Sequence, residues 1–152
     1  MKTFITTLLL LLCLNSMAQN QLPDFSFEQI KMSNITMPYR KATIAPVQGE
    51  KPAVVIYLHG GSSKGSDNTT QMNEPGIELI ANYLQSSHIN ALFLVPQCPK
   101  DKSWMGPMYP VLKSMIERYT TDNDAQPATA DINKVYIFGG SMGGTGTWGM
   151  LS

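Results

Sequence analysis

Apolar residues fall along this chain in three short runs and two spaced series. The runs are Ala53-Val54-Val55-Ile56-Tyr57-Leu58, Ala91-Leu92-Phe93-Leu94-Val95 and Val135-Tyr136-Ile137-Phe138. Each is continuous, rich in β-branched or aromatic residues and bounded by polar or turn-forming residues. Such runs predict strands buried on both faces. Between the first two, Ile77, Ile80, Ala81 and Leu84 recur at helical spacing behind Pro75 and Gly76, which mark a helix start. Between the second and third, Val111, Leu112, Met115, Ile116 and Tyr119 share one helical face, with Pro110 suited to a first turn. Ahead of them, Phe25-x-Phe27 and Ile35 to Ile44 alternate weakly, as early antiparallel strands would. Pro46 to Pro52 reads as a turn from its Pro and Gly content. Strand, helix, strand, helix, strand, turn, helix is the order of an α/β fold with a doubly wound, mostly parallel sheet.

The first residues stand apart from this pattern. Lys2 gives a positive start, Phe4 to Leu14 is apolar, and Ser16-Met17-Ala18 offers small residues at a cleavage position. This predicts a secretory signal peptide over 1–18, cut after Ala18. The apolar run is short for a membrane span. Cys13 follows Leu12, where a lipoprotein signal would carry a small residue. The division expected is therefore a leader at 1–18, a polar lead-in with early strands at 19–50, and an α/β domain from 51 to 152. The product is expected to be secreted or periplasmic, with no membrane span after cleavage.

Charge and cysteine content narrow the functions. Basic and acidic residues number 11 each, so no basic excess is present to hold nucleic acid. Cleavage would leave Cys98 as the single cysteine, which rules out an internal disulfide. His59 and His88 are far apart and show no metal-ligand spacing, so neither a metal nor an organic cofactor is expected.

The chemistry concentrates where the third run ends, in Gly139-Gly140-Ser141-Met142-Gly143-Gly144. Gly139-x-Ser141-x-Gly143 has the spacing of a nucleophile elbow. A strand that turns at once into a helix brings the flanking positions too close for side chains, which calls for glycine there. Ser141 at the apex is then the nucleophile, and the Met142 N–H at the helix start is one oxyanion donor. The loop after the first run, His59-Gly60-Gly61, is the expected source of the second. Gly61 is the first choice and Ser62 the fallback. His59, directly after a strand, is read as orienting that loop rather than as the base. His88 follows a helix, where a cation is ordinary capping.

Two other glycine patterns compete and fail. Gly144-x-Gly146-x-x-Gly149 matches a dinucleotide fingerprint, but its first glycine falls inside the expected helix rather than at a strand end. Gly60 to Ser66 has the composition of a phosphate loop, with Lys64 ahead of Gly65 in the wrong order.

Together these segments resemble the N-terminal part of an α/β-hydrolase. The similarity is to secreted bacterial esterases and predicted peptidases related to dienelactone hydrolase, feruloyl esterases and prolyl-oligopeptidase-like enzymes. It runs from about Lys51 onward through Val54 to Gly61, Ser66-Asp67-Asn68, Val95 to Pro99, Trp104, Asp131 to Gly144, and Gly146-Thr147-Trp148. The resemblance implies Ser141 as nucleophile and Gly61 and Met142 as oxyanion donors. It sets His59 and Trp104 as neighbours of the substrate site, Trp104 near the entrance or buried beneath the loop. It also implies further strands, a later acid and a later histidine. No Asp, Glu or His follows Ser141 up to Ser152.

The expected function is thus a portion of a secreted serine hydrolase that cleaves a small-molecule carboxylic ester through an acyl-enzyme. A prolyl-oligopeptidase-like serine peptidase is the alternative within the same chemistry. A non-catalytic hydrolase remnant or binding protein is the alternative outside it. A fold incomplete at its C-terminus is expected to expose an unpaired apolar edge and to be poorly folded alone. Neither the acyl pocket nor the oligomeric state is legible.

Overall fold

A computed structural model of the chain describes residues 21–123 and 126–151. The expected leader over 1–18, with Cys13, lies outside the described residues. Five strands form one sheet in the order β1-β2-β4-β3-β5. β1 (Ser26–Met32) and β2 (Ile35–Ile44) are an antiparallel pair. β2 runs antiparallel to β4 (Ala91–Pro96). β4, β3 (Ala53–Leu58) and β5 (Asp131–Gly139) are mutually parallel, with β3 in the middle.

The helices cover both faces, because the strands alternate. Val54, Ile56 and Leu58 of β3 point into one core with Leu92 and Leu94. Helix α2 (Met108–Thr120) closes that core with Met108, Val111, Leu112, Met115 and Ile116. Val55, Tyr57, Phe93 and Val95 point the other way and meet Ile77, Ala81 and Leu84 of α1 (Pro75–Ser86). All six residues of β3 and all six of β4 are buried. Full burial of one such aliphatic or aromatic side chain is worth about 1.5–3 kcal/mol, so these two strands anchor everything that follows their ends. A short helix, α3 (Met142–Gly149), leaves β5 on the α2 side, where Met142 and Met150 join the first core.

β5 departs from the expected third buried strand. It begins at Asp131 rather than Val135, and only alternate residues are covered. Val135 and Ile137 pack on the first core, while Tyr136 and Phe138 stay 52% and 45% exposed. The cause is position: β5 lies at the margin of the described sheet, and α1 does not reach across it. An apolar groove of about 620 Å³ runs between them, lined by Leu79, Tyr83, Tyr136 and Phe138 among others. The pairing with β3 also slips. Ala53 pairs with Asp131, but Val54 pairs with Val135. The intervening residues bulge out because Asp131 Oδ1 accepts the Asn133 N–H at 2.9 Å, a local turn that competes with the ladder.

Among the described residues no helix is long and apolar enough to cross a membrane.

Candidate active site

In a parallel sheet, the loops that follow neighbouring strands emerge at the same end. The turn after β5 and the loop after β3 therefore meet. Ser141 sits between β5 and α3 with φ 53° and ψ −121°. This is a left-handed backbone that a non-glycine residue adopts only under constraint. The constraint is visible around it. A Cβ on Gly143 would stand 1.8 Å from the Leu58 carbonyl oxygen, and one on Gly139 would stand 2.4 Å from the Gly143 carbonyl carbon. Strand β3, the turn and the first residues of α3 are in backbone contact, and no side chain fits between them. Ser141 itself is exposed and makes no side-chain cap bond to the helix it opens. The Met142 N–H belongs to the first turn of α3, where amides lack an intrahelical acceptor. The Gly143 N–H instead donates to Gly140 O at 2.8 Å, closing the turn.

Two later glycines serve the same close approach. A Cβ on Gly146 would meet Trp104 Cβ at 2.4 Å, and one on Gly149 would meet Tyr109 Oη at 1.8 Å. The glycine spacing that mimics a dinucleotide fingerprint therefore lies within α3 and packs that helix onto its neighbours.

The loop after β3 is built differently. His59 is fully buried, and both ring nitrogens are engaged. Nε2 accepts the Cys98 N–H at 2.9 Å. That leaves Nδ1 to carry the proton and donate to Gly60 O at 2.6 Å. Burial pushes the His59 pKa below its ordinary value, which favours this neutral form. Trp104 Nε1 donates to His59 O at 2.9 Å, and the two rings meet edge to face at 5.1 Å. Trp104 is also fully buried. Neither side chain lines the open surface at Ser141. Of the two placements considered for Trp104, the structure shows the one beneath the loop. Burial also raises the Cys98 thiol, to about 11, so it is a neutral packing group there.

Gly60 and Gly61 arch over this support. A Cβ on Gly60 would lie 3.8 Å from Ser141 Cβ and 4.0 Å from Gly140 O, so the loop touches the turn at the serine. The Gly60–Gly61 peptide is planar, so the bond from His59 to Gly60 O also fixes the direction of the Gly61 N–H. Gly61 and Ser62 are exposed and begin a 3-10 turn, Gly61–Ser63. Gln97, fully buried after β4, ties the rest of the loop down. Its Oε1 accepts the Asn68 N–H at 2.7 Å and its Nε2 donates to Ser63 O at 3.3 Å. Asn68 in turn donates to Tyr39 O at 3.0 Å and accepts from Gln71 at 2.7 Å. Asp67 caps the next turn, and the Thr70 N–H holds its carboxyl well below the usual carboxylate range.

The structure thus brings Ser141, Met142, Gly60 and Gly61 together at one end of the sheet. His88 is not among them. It follows α1 with φ 52°, just ahead of β4, at the opposite end of the parallel strands. Glu74 was not anticipated. It immediately precedes α1, and its Oε1 accepts from Ser63 Oγ at 2.6 Å and from the Gly60 N–H at 3.3 Å. Among the described residues no group of three or more His, Cys, Asp or Glu side chains could hold a metal ion.

No protein-family model matches the chain, and no curated protein matches it in sequence. Solved structures do match in fold. A thermostable esterase is 27% identical with a TM-score of 0.62, over 84% of this chain and 37% of its own. The feruloyl esterase module from Clostridium thermocellum is 15% identical with a TM-score of 0.59, over 84% and 48%. An acylaminoacyl peptidase from Pyrococcus horikoshii is 14% identical with a TM-score of 0.57, over 88% and 22%. The chain spans less than half the length of each. It carries the α/β-hydrolase fold over the part it spans.

Proposed function

We propose that this chain supplies the nucleophile and the oxyanion hole of a secreted serine hydrolase that cleaves carboxylic esters. The observation that carries the reading is the Ser141 turn: a constrained, exposed serine at a helix N-terminus, touched by a glycine loop from the adjacent parallel strand. Its support from outside the chain is the fold shared with esterases and a peptidase. Ser141 Oγ would attack the ester carbonyl carbon while its proton passes to a general base. The developing oxyanion would take hydrogen bonds from the Gly61 and Met142 amides. The alkoxide would then leave as the alcohol, and water would release the acid from the acyl-serine. His59 is not available as that base, since both of its nitrogens are committed to the backbone. Peptide cleavage by the same steps is the nearest alternative, because the acylaminoacyl peptidase shares the fold.

The test is turnover of short-chain nitrophenyl esters by the full-length gene product and its Ser141→Ala variant. A loss on the order of 10³-fold or more in kcat is expected on removing such a nucleophile. Equal behaviour of the two proteins would mean that no serine chemistry occurs, and would favour a binding scaffold that keeps the fold.

A further inference from the structure

Gly61, the oxyanion donor of the proposed reaction, has no support of its own. It is exposed, it has no side chain, and nothing lies within 4 Å of the position a Cβ would take. Its orientation must come from the residues on either side. His59 holds the Gly60 carbonyl from beneath. Gln97 Nε2 holds the Ser63 carbonyl at the far end of the turn, and a single carboxylate oxygen holds donors on both sides of Gly61. Glu74 Oε1 accepts the Gly60 N–H at 3.3 Å on one side of Gly61 and Ser63 Oγ at 2.6 Å on the other. The backbone contributes one closing bond across the same turn, Ser63 N–H to Gly60 O at 3.3 Å. The same oxygen would lie 3.6 Å from a Cβ on Gly60, a point itself 3.8 Å from Ser141 Cβ. Glu74 reaches the loop from the start of α1, so it links the helix to the turn.

We infer that Glu74 is a positioning residue: it clamps the Gly60–Ser63 turn from both sides of Gly61 and so aims the Gly61 N–H at the oxyanion. This rests on the serine-hydrolase reading above. A charged acceptor holds such donors more firmly than a neutral one. Two donors sharing one oxygen also leave the turn little freedom to rotate. A donor displaced by about 1 Å loses much of its effect in the transition state and little in substrate binding.

The test compares wild-type full-length protein with Glu74→Ala, Glu74→Gln and Ser63→Ala, in turnover and in hydrogen exchange of the peptide covering 60–65. Glu74→Ala is expected to lower kcat about tenfold to a hundredfold with KM nearly unchanged. Its affinity for a boronate transition-state analogue should fall in parallel. Amides of 60–65 should exchange faster while those of α1 do not. Glu74→Gln keeps an acceptor oxygen and should restore most of both properties, and Ser63→Ala should lie between. If Glu74→Ala fails to fold, Ser63→Ala against wild type decides the point. Unchanged kcat and unchanged exchange at 60–65 in Glu74→Ala would overturn the inference, with Ser141→Ala inactivity still upholding the parent reading. A wild-type protein without serine-dependent turnover would sink the parent reading and, with it, the catalytic role assigned to Glu74.

Discussion

The two segments that meet at Ser141 are held in place by opposite means. The turn after β5 is fixed by missing side chains. Gly139 and Gly143 let backbone rest on backbone, with the Leu58 carbonyl oxygen at the point of closest approach. The loop after β3 is fixed by side chains that reach from elsewhere. Trp104, Gln97 and Glu74 bind its carbonyls and amides one by one, and His59 at its start binds the Gly60 carbonyl. A contact of the first kind fails all at once, because backbone cannot yield to a new Cβ. A network of the second kind fails piecemeal. The proposed nucleophile thus sits on the rigid member, and the proposed oxyanion loop is the adjustable one.

Substitutions can break or sharpen this contrast. Gly143→Ala should have the largest effect, since its Cβ would meet Leu58 O at 1.8 Å. A stability loss of about 3–5 kcal/mol is expected in denaturant unfolding, with most of the protein insoluble. His59→Asn should cost about 2–3 kcal/mol, because the Cys98 amide loses its acceptor and Trp104 its ring partner. Gln97→Ala should cost about 1–3 kcal/mol and raise exchange at the Asn68 amide without unfolding the sheet. Gly60→Ala should be smallest in stability, within about 0.5 kcal/mol, since its new contacts lie at ordinary distances of 3.6 to 4.0 Å. Its methyl would nevertheless stand beside Ser141, so kcat/KM should fall. A stability loss for Gly60→Ala as large as that for Gly143→Ala would erase the distinction.

The buried imidazole adds a pH signature to the loop. The folded state lowers the His59 pKa below its ordinary 6.5, chiefly by burial. The unfolded chain therefore binds the proton more readily. The stabilisation from the neutral ring is complete above that ordinary value and is lost as pH falls through the depressed one. Unfolding free energy should decline on acidification from pH 7 toward 5, and His59→Asn should flatten the part of that slope due to this ring.

Most of the scaffold is legible in local pattern. The runs Ala53 to Leu58 and Ala91 to Val95 are buried strands because every residue in them is apolar. The helix at Ile77 to Leu84 follows from spacing, and the turn from the glycines around Ser141. What the pattern misses depends on neighbours distant in the chain. Tyr136 and Phe138 look as apolar as the rest of their run, yet their exposure is set by where β5 lies in the sheet. The bulge at 132–134 goes with the bonds that the Asp131 carboxylate accepts from Asn133. Whether Trp104 lines the site or lies under it turns on a bond to His59, 45 residues away. Glu74 gives no motif at all. An acid before Pro75 reads as a helix start, and its bonds to Gly60 and Ser63 arise only once α1 is docked.

The most direct measurement is covalent labelling of the full-length gene product with a fluorophosphonate, followed by peptide mass spectrometry. Attack by an activated serine would displace fluoride and leave the phosphonate on Oγ. The prediction is a single modified site at Ser141, with labelling abolished in Ser141→Ala. An unlabelled Ser141 in folded protein, or labelling at another residue that persists in the variant, would contradict the assignment of Ser141 as the nucleophile.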